Sequence, residues 1–168
     1  MRFILIVLIA FSLVDAGGVL KVEWPKTTTQ QEKSMKPYPK VLKDGIKEVT
    51  LPVYLPRYYI YKKNISIVSD KNFYAITIFL KGASLMITGD RTYQQKVKLG
   101  GKQLKTKMKA VDTKFVRAEG IISIDFNRHG VNYSLALECD SPSRDKRCIE
   151  DSFLKRVYRG LVIVGGKK

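Results

Sequence analysis

Alternation of apolar and polar positions, with a period of two, dominates the chain from about residue 47 onward. Val49, Leu51 and Val53 alternate with polar or small neighbours. Pro52 and Pro56 lack the N–H that a ladder needs, so this run is confined to an edge strand or an extended segment. Phe73–Leu80 is rich in β-branched and aromatic residues, and residues 84–88 resume the pattern after Lys81-Gly82. That pairing predicts a hairpin ended by Gly89-Asp90. A second hairpin is predicted over 119–139. Ile122, Ile124 and Phe126 share one face, Asn127-Arg-His-Gly130 forms a four-residue turn, and Val131, Tyr133, Leu135 and Leu137 share a face on the return.

The period lengthens near the end. Ile149, Phe153 and Val157 fall at i, i+4, i+8 with Leu154, Tyr158 and Leu161 beside them, which predicts a helix over 149–159. Glu150 and Asp151 lie in its first turn, and Lys155, Arg156 and Arg159 lie towards its end, as the helix dipole favours. Gly160 is placed to cap it, and Leu161 to Val164 continue as a short buried segment. Strands before a single late helix give an α+β class: an antiparallel sheet built from hairpins with a C-terminal helix packed on one face.

Residues 17–47 follow no steady period. They are lysine-rich, contain Pro25, Pro37 and Pro39, and read as a basic, extended or disordered arm ahead of a single domain over 48–168. Residues 1–16 have the three parts of a secretory signal. Arg2 is followed by an apolar run to Val14, and Val14-Asp15-Ala16 ends it with small residues one and three positions before a cut after Ala16. The run spans about 18 Å as a helix, short of the roughly 30 Å hydrocarbon layer, so the reading is cleavage and not anchorage. An exported, periplasmic or extracellular protein is expected.

Two cysteines, Cys139 and Cys148, flank a polar, turn-forming stretch. In an exported chain an even count predicts a disulfide, worth about 2–3 kcal/mol for so short a loop.

Charge adds a second theme. Thirty-one Lys and Arg face fifteen Asp and Glu, for a net +16. Lys96, Lys98, Lys102, Lys105, Lys107 and Lys109 alternate with apolar or neutral residues across Gly100-Gly101, which predicts a hairpin with one cationic, anion-binding face. Lysine outnumbers arginine by twenty-two to nine, so the charge is diffuse and not built for bidentate phosphate reading. Nucleic acid is disfavoured as a partner, because no aromatic platform interleaves these lysines.

Candidate chemistry is sparse. His129 is the sole histidine and sits in a turn, where exposure is expected. Asp125 and Glu138 are placed to face each other across the second hairpin as a carboxylate pair of the kind glycosidases use. Asn64-Ile-Ser66 and Asn132-Tyr-Ser134 match the glycosylation acceptor pattern, which arises often by chance. No nucleophile elbow, phosphate loop or zinc spacing occurs, and no cofactor is expected.

Several segments resemble an uncharacterised family of exported proteobacterial periplasmic proteins. They are Leu51-Pro-Val-Tyr-Leu-Pro56, the strand pair from Phe73-Tyr-Ala to Ile87-Thr-Gly-Asp-Arg91, and Gly120 through Tyr133 continuing to Leu137-Glu-Cys-Asp140 and Arg147-Cys148. The resemblance implies a Pro-x-Leu-Pro entry, a cysteine pair closing a polar loop before a C-terminal helix, and a periplasmic or envelope location. The order of elements is also similar to PsbP-like domains, a likeness at the level of fold. The reading that follows is an exported, basic, non-enzymatic protein that binds an envelope component or protein partner. The alternatives are a secreted hydrolase using acidic residues and an exported effector or inhibitor of a host or competitor protein.

Overall fold

The computed structural model describes residues 18–25, 38–57, 64–93 and 114–168. Residues 1–16, expected from the sequence to be a secretory signal, and the repeated lysines Lys96 to Lys109 lie outside them. In chain order the elements are β1 (Gly18–Val19), α1 (Lys40–Ile46), β2 (Val53–Pro56), β3 (Ile65–Ser69), β4 (Phe73–Leu80), β5 (Ala83–Asp90) and β6 (Thr92–Tyr93). They continue with β7 (Val116–Ala118), β8 (Ile121–Arg128), β9 (Val131–Cys139), α2 (Lys146–Ile149), α3 (Ser152–Arg159) and β10 (Leu161–Gly165). The architecture is α+β and antiparallel, as the alternation predicts.

Six strands form the main sheet in the order β3-β4-β5-β9-β8-β7, every neighbouring pair antiparallel. The predicted inward residues are buried: Tyr74, Ile76 and Ile78 on β4, Ile122, Ile124 and Phe126 on β8, and Val131 to Leu137 at alternate positions on β9. The turns between strands are tighter than the sequence suggests. β8 runs on to Arg128 and β9 begins at Val131, so the four-residue turn is a two-residue one. His129 (φ 54°) and Gly130 (φ 73°) both adopt the left-handed conformation, which matches the twist of the strands they join. Asn127 and Arg128 therefore belong to the ladder, opposite Asn132 and Val131.

A second layer covers one face of this sheet. β2 and β10 pair as an antiparallel ribbon, joined along one edge of β2 only. All residues from Leu51 to Pro56 are buried, because the ribbon is enclosed between the sheet and the elements around it. Three tyrosine hydroxyls serve the backbone of this segment. Tyr133 donates to the Pro52 carbonyl (2.9 Å), Tyr38 donates to the Pro56 carbonyl (3.4 Å), and Tyr74 accepts from the Tyr54 N–H (3.0 Å). A buried backbone group without such a partner costs about 1–3 kcal/mol, so the tyrosines are what allow a strand to lie here. The ribbon approaches closely enough that β5 must be bare beneath it. A Cβ on Gly89 would sit 2.4 Å from the Tyr74 ring, 2.8 Å from Leu51 and 2.9 Å from the Tyr133 ring.

Two helical expectations are corrected. Residues 40–46, read from sequence as part of an extended arm, form α1, with Leu42 and Ile46 buried. Gly45 hides this helix from a pattern reading, since glycine costs about 1 kcal/mol in a helix interior. It is there because Ile67 of β3 would lie 3.2 Å from any Cβ. The C-terminal helix is broken. α2 ends at Ile149, which is exposed, Glu150 is extended, and α3 starts at Ser152 with Leu154 and Val157 buried. Cys148 is tied to Cys139 at the end of β9, which fixes α2 against the sheet. Arg117 of β7 holds the break, donating to the Ile149 carbonyl (3.1 Å) and pairing with the Asp151 carboxylate. Gly160 caps α3 as predicted. Among the described residues no helix is long and apolar enough to cross a membrane.

Candidate anion-binding site at Arg128

Arg128 is the last residue of β8, on the side of the sheet that the ribbon covers. Strand alternation puts it on the face of Phe126, two residues earlier. Its guanidinium carbon lies 5.0 Å from the Phe126 ring centre, 5.3 Å from Tyr54 of β2 and 4.8 Å from Tyr158 of α3. One residue each from the sheet, the ribbon and the helix thus closes around a single cation. The rings also brace one another. Phe126 and Tyr158 meet edge to face at 5.0 Å, Phe126 and Tyr133 stack at 5.4 Å, and Tyr54 and Tyr133 meet edge to face at 5.1 Å.

This arrangement has a chemical consequence. Aromatic neighbours dry the guanidinium and hold its long side chain in place, so less freedom is lost when its N–H edge meets a ligand. Arg128 is half-buried and has no ion pair with any acid among the described residues. In partly desolvated surroundings a fixed cation attracts an anion more strongly than the same charge in open water. Further positive charge surrounds Tyr158: Lys155, Arg156 and Arg159 are exposed on α3, with Arg156 lying over the Phe153 ring at 5.8 Å. The Arg57 N–H donates to the Gly160 carbonyl, which brings the end of the ribbon to the end of α3.

The tyrosines beneath are held neutral. Burial pushes the Tyr54 hydroxyl above its usual value of 10.0, against the pull of Arg128 beside it. Burial likewise raises Tyr74 and Tyr133, each raised further by neighbouring tyrosines. The Tyr74 and Tyr133 hydroxyls act as hydrogen-bonding supports for the ribbon.

His129 departs from expectation. It is half-buried, its ring lies parallel to Tyr54 with centres 6.3 Å apart, and its carbonyl accepts the Glu23 N–H. It is thus part of the wall beside Arg128. The expected carboxylate pair does not form. Asp125 stands opposite Ser134 and Glu138 opposite Ile121, four ladder steps apart. At about 3.3 Å per residue that is roughly 13 Å, beyond the separations that either glycosidase mechanism uses. Both carboxylates lie on the opposite face of the sheet from Arg128. The predicted disulfide is present, with Cys139 and Cys148 joined at a Cα–Cα distance of 6.4 Å. The six lysines expected to form an anion-binding face, Lys96 to Lys109, fall outside the described residues. Among the described residues no group of His, Cys, Asp and Glu is arranged to hold a metal.

The sequence held one signal for Arg128, its spacing of two from Phe126 on a strand. The convergence of Tyr54 and Tyr158 is tertiary and leaves no local trace. No family model, curated protein or solved structure matches the chain.

Proposed function

We propose that this is an exported, non-enzymatic protein of the periplasm or cell surface that binds an anionic envelope component or protein partner, with Arg128 as the central contact. The observation that carries this reading is a half-buried arginine set among three rings, with no acid paired to it among the described residues. The net charge of +16 supplies long-range attraction to a negative surface, and Arg128 supplies the directed contact. Export is supported by the signal-like first sixteen residues and agrees with the disulfide.

The test is binding of the purified chain to phosphatidylglycerol vesicles and to soluble polyglutamate, at low and high salt. Arg128→Gln is expected to weaken binding about tenfold or more, the scale of one charge-assisted contact. Arg144→Gln removes an equal charge from an exposed loop position and is expected to weaken it only slightly. Equal losses in the two variants would mean that diffuse charge alone binds and would remove Arg128 from the reading. No binding to either probe at low salt would remove the anionic partner.

A further inference from the structure

Residues 18–24 belong to the stretch expected from sequence to be an extended or disordered arm, yet they are docked along one end of the main sheet. β1 pairs with β6, Gly18 opposite Tyr93 and Val19 opposite Thr92. The Leu20 N–H then donates to the carbonyl of Arg91, just past β5 (2.6 Å). The Glu23 N–H donates to the carbonyl of His129, just past β8 (2.9 Å). Between those two bonds the segment passes over Gly130, the residue before β9. A Cβ on Gly130 would lie 2.5 Å from the Lys21 carbonyl oxygen. Leu20, Val22 and Trp24 are half-buried while Lys21 and Glu23 are exposed, and Val22 packs against the core. Trp24 lies against Gly166, where a Cβ would be 2.8 Å from its ring. One strap thus crosses the ends of three adjacent strands, β5, β9 and β8.

The strap reaches the Arg128 site through the turn. Arg128 and Val131 are the last ladder pair of β8 and β9, and His129 and Gly130 join them. The strap holds both turn residues, His129 by a hydrogen bond and Gly130 by close contact. Tyr54 ties the turn to the cation a second time. The His129 ring lies parallel to it at 6.3 Å, and the Arg128 guanidinium carbon lies 5.3 Å from its centre. In so short a turn, displacing His129 displaces Arg128 with it. We infer that residues 18–24 are a positioning strap for the anion site. Docked, they hold the turn and Arg128 in the geometry that meets the ligand, and a bound anion in turn favours the docked strap. The inference rests on the anion-binding reading of Arg128. The strap is suited to this part because little fastens it: two ladder pairs, two further backbone hydrogen bonds and three half-buried side chains. A segment so held opens locally at less cost than the strands of the main sheet.

Amide hydrogen exchange of the intact chain tests this, measured free and saturated with whichever of polyglutamate and phosphatidylglycerol vesicles it binds. The Leu20 and Glu23 amides are expected to exchange about tenfold more slowly with the anion, the scale of coupling between linked sites. The Asp140 amide, bonded to the Gly82 carbonyl at the opposite end of the sheet, is expected to keep its rate. In Arg128→Gln the strap amides are expected to keep theirs. Leu20→Ser combined with Val22→Ser unfastens the strap without adding charge. This double variant is expected to lose affinity for the anion by the same factor as the slowing, because linkage is reciprocal. Strap amides that the anion leaves unchanged, or slows no more than Asp140, overturn the inference, as does a double variant that binds like the intact chain. Those results leave the Arg128 reading standing as long as Arg128→Gln weakens binding. An intact chain that binds neither probe, or an Arg128→Gln variant that binds as well, overturns both.

Discussion

The two faces of the six-stranded sheet are made from the same strands and follow opposite rules. The covered face carries Leu, Ile and Tyr packed under the ribbon, each position answering to a neighbour in another element. The outward face carries Ser, Thr and Ala with scattered larger residues, and its side chains answer only to the strand beside them. Period-two alternation is enough to build both. What separates them is depth of burial, and therefore how much each change of side chain costs.

Leu135 and Ala136 are consecutive on β9 and face opposite ways, so they give the sharpest contrast. Leu135→Ala leaves a cavity at a fully buried site and is expected to cost about 2–5 kcal/mol, read as a fall in melting temperature or denaturant midpoint. Gly89→Ala forces a methyl between Tyr74, Leu51 and Tyr133 and is expected to cost about 1–3 kcal/mol, whereas Ala is tolerated where a strand glycine has open space. Tyr133→Phe leaves the Pro52 carbonyl without its donor and is expected to cost about 1–3 kcal/mol. At the small end, Ala136→Ser, one residue from Leu135, is expected to change the stability of dilute protein by less than about 0.5 kcal/mol. A large loss there would erase the difference between the faces.

The same contrast has a pH signature. Tyr74 and Tyr133 are neutral in the folded chain and their pKa values lie above the ordinary 10.0. Below pH 10 both folded and unfolded chains hold the proton, and the stability is complete. Above it the unfolded chain ionises first, so stability falls with rising pH. Chemical denaturation followed between pH 8 and 11 is expected to show this decline. Tyr133→Phe lowers stability at pH 8 and makes the decline shallower, because one of the two coupled hydroxyls is gone.

The four inner strands of the sheet were legible because each divides two different environments, whereas β3 has no fully buried residue and β7 is exposed throughout, so neither shows in the pattern. The inward set of β8 and β9 follows directly from Ile122, Ile124, Phe126 and their partners on the return. The remainder was set by contacts that the local pattern does not contain. The turn at 127–130 looks four residues long because nothing in the sequence says that His129 takes a left-handed conformation. α1 is masked by the glycine that lets β3 approach it. The break between α2 and α3 depends on a disulfide to β9 and on Arg117 from the far edge of the sheet. Alternation at Val49, Leu51 and Val53 suggested one buried side, whereas β2 is buried on both. Arg128 shows the limit most clearly: one of its three rings is a strand neighbour, and the other two come from Tyr54 and Tyr158, far away in the chain.

The pairing of β2 with β10 also determines when the molecule is finished. Val53–Pro56 is present early in synthesis, but Leu161–Gly165 is the last of the described strands to emerge. Until it does, β2 has no ladder partner and the covered face of the sheet remains open. Closure over so long an intervening chain carries a large entropic cost before any contact rewards it, which places this step late in folding. Truncation after Arg159 would remove the latch without touching any residue of the main sheet.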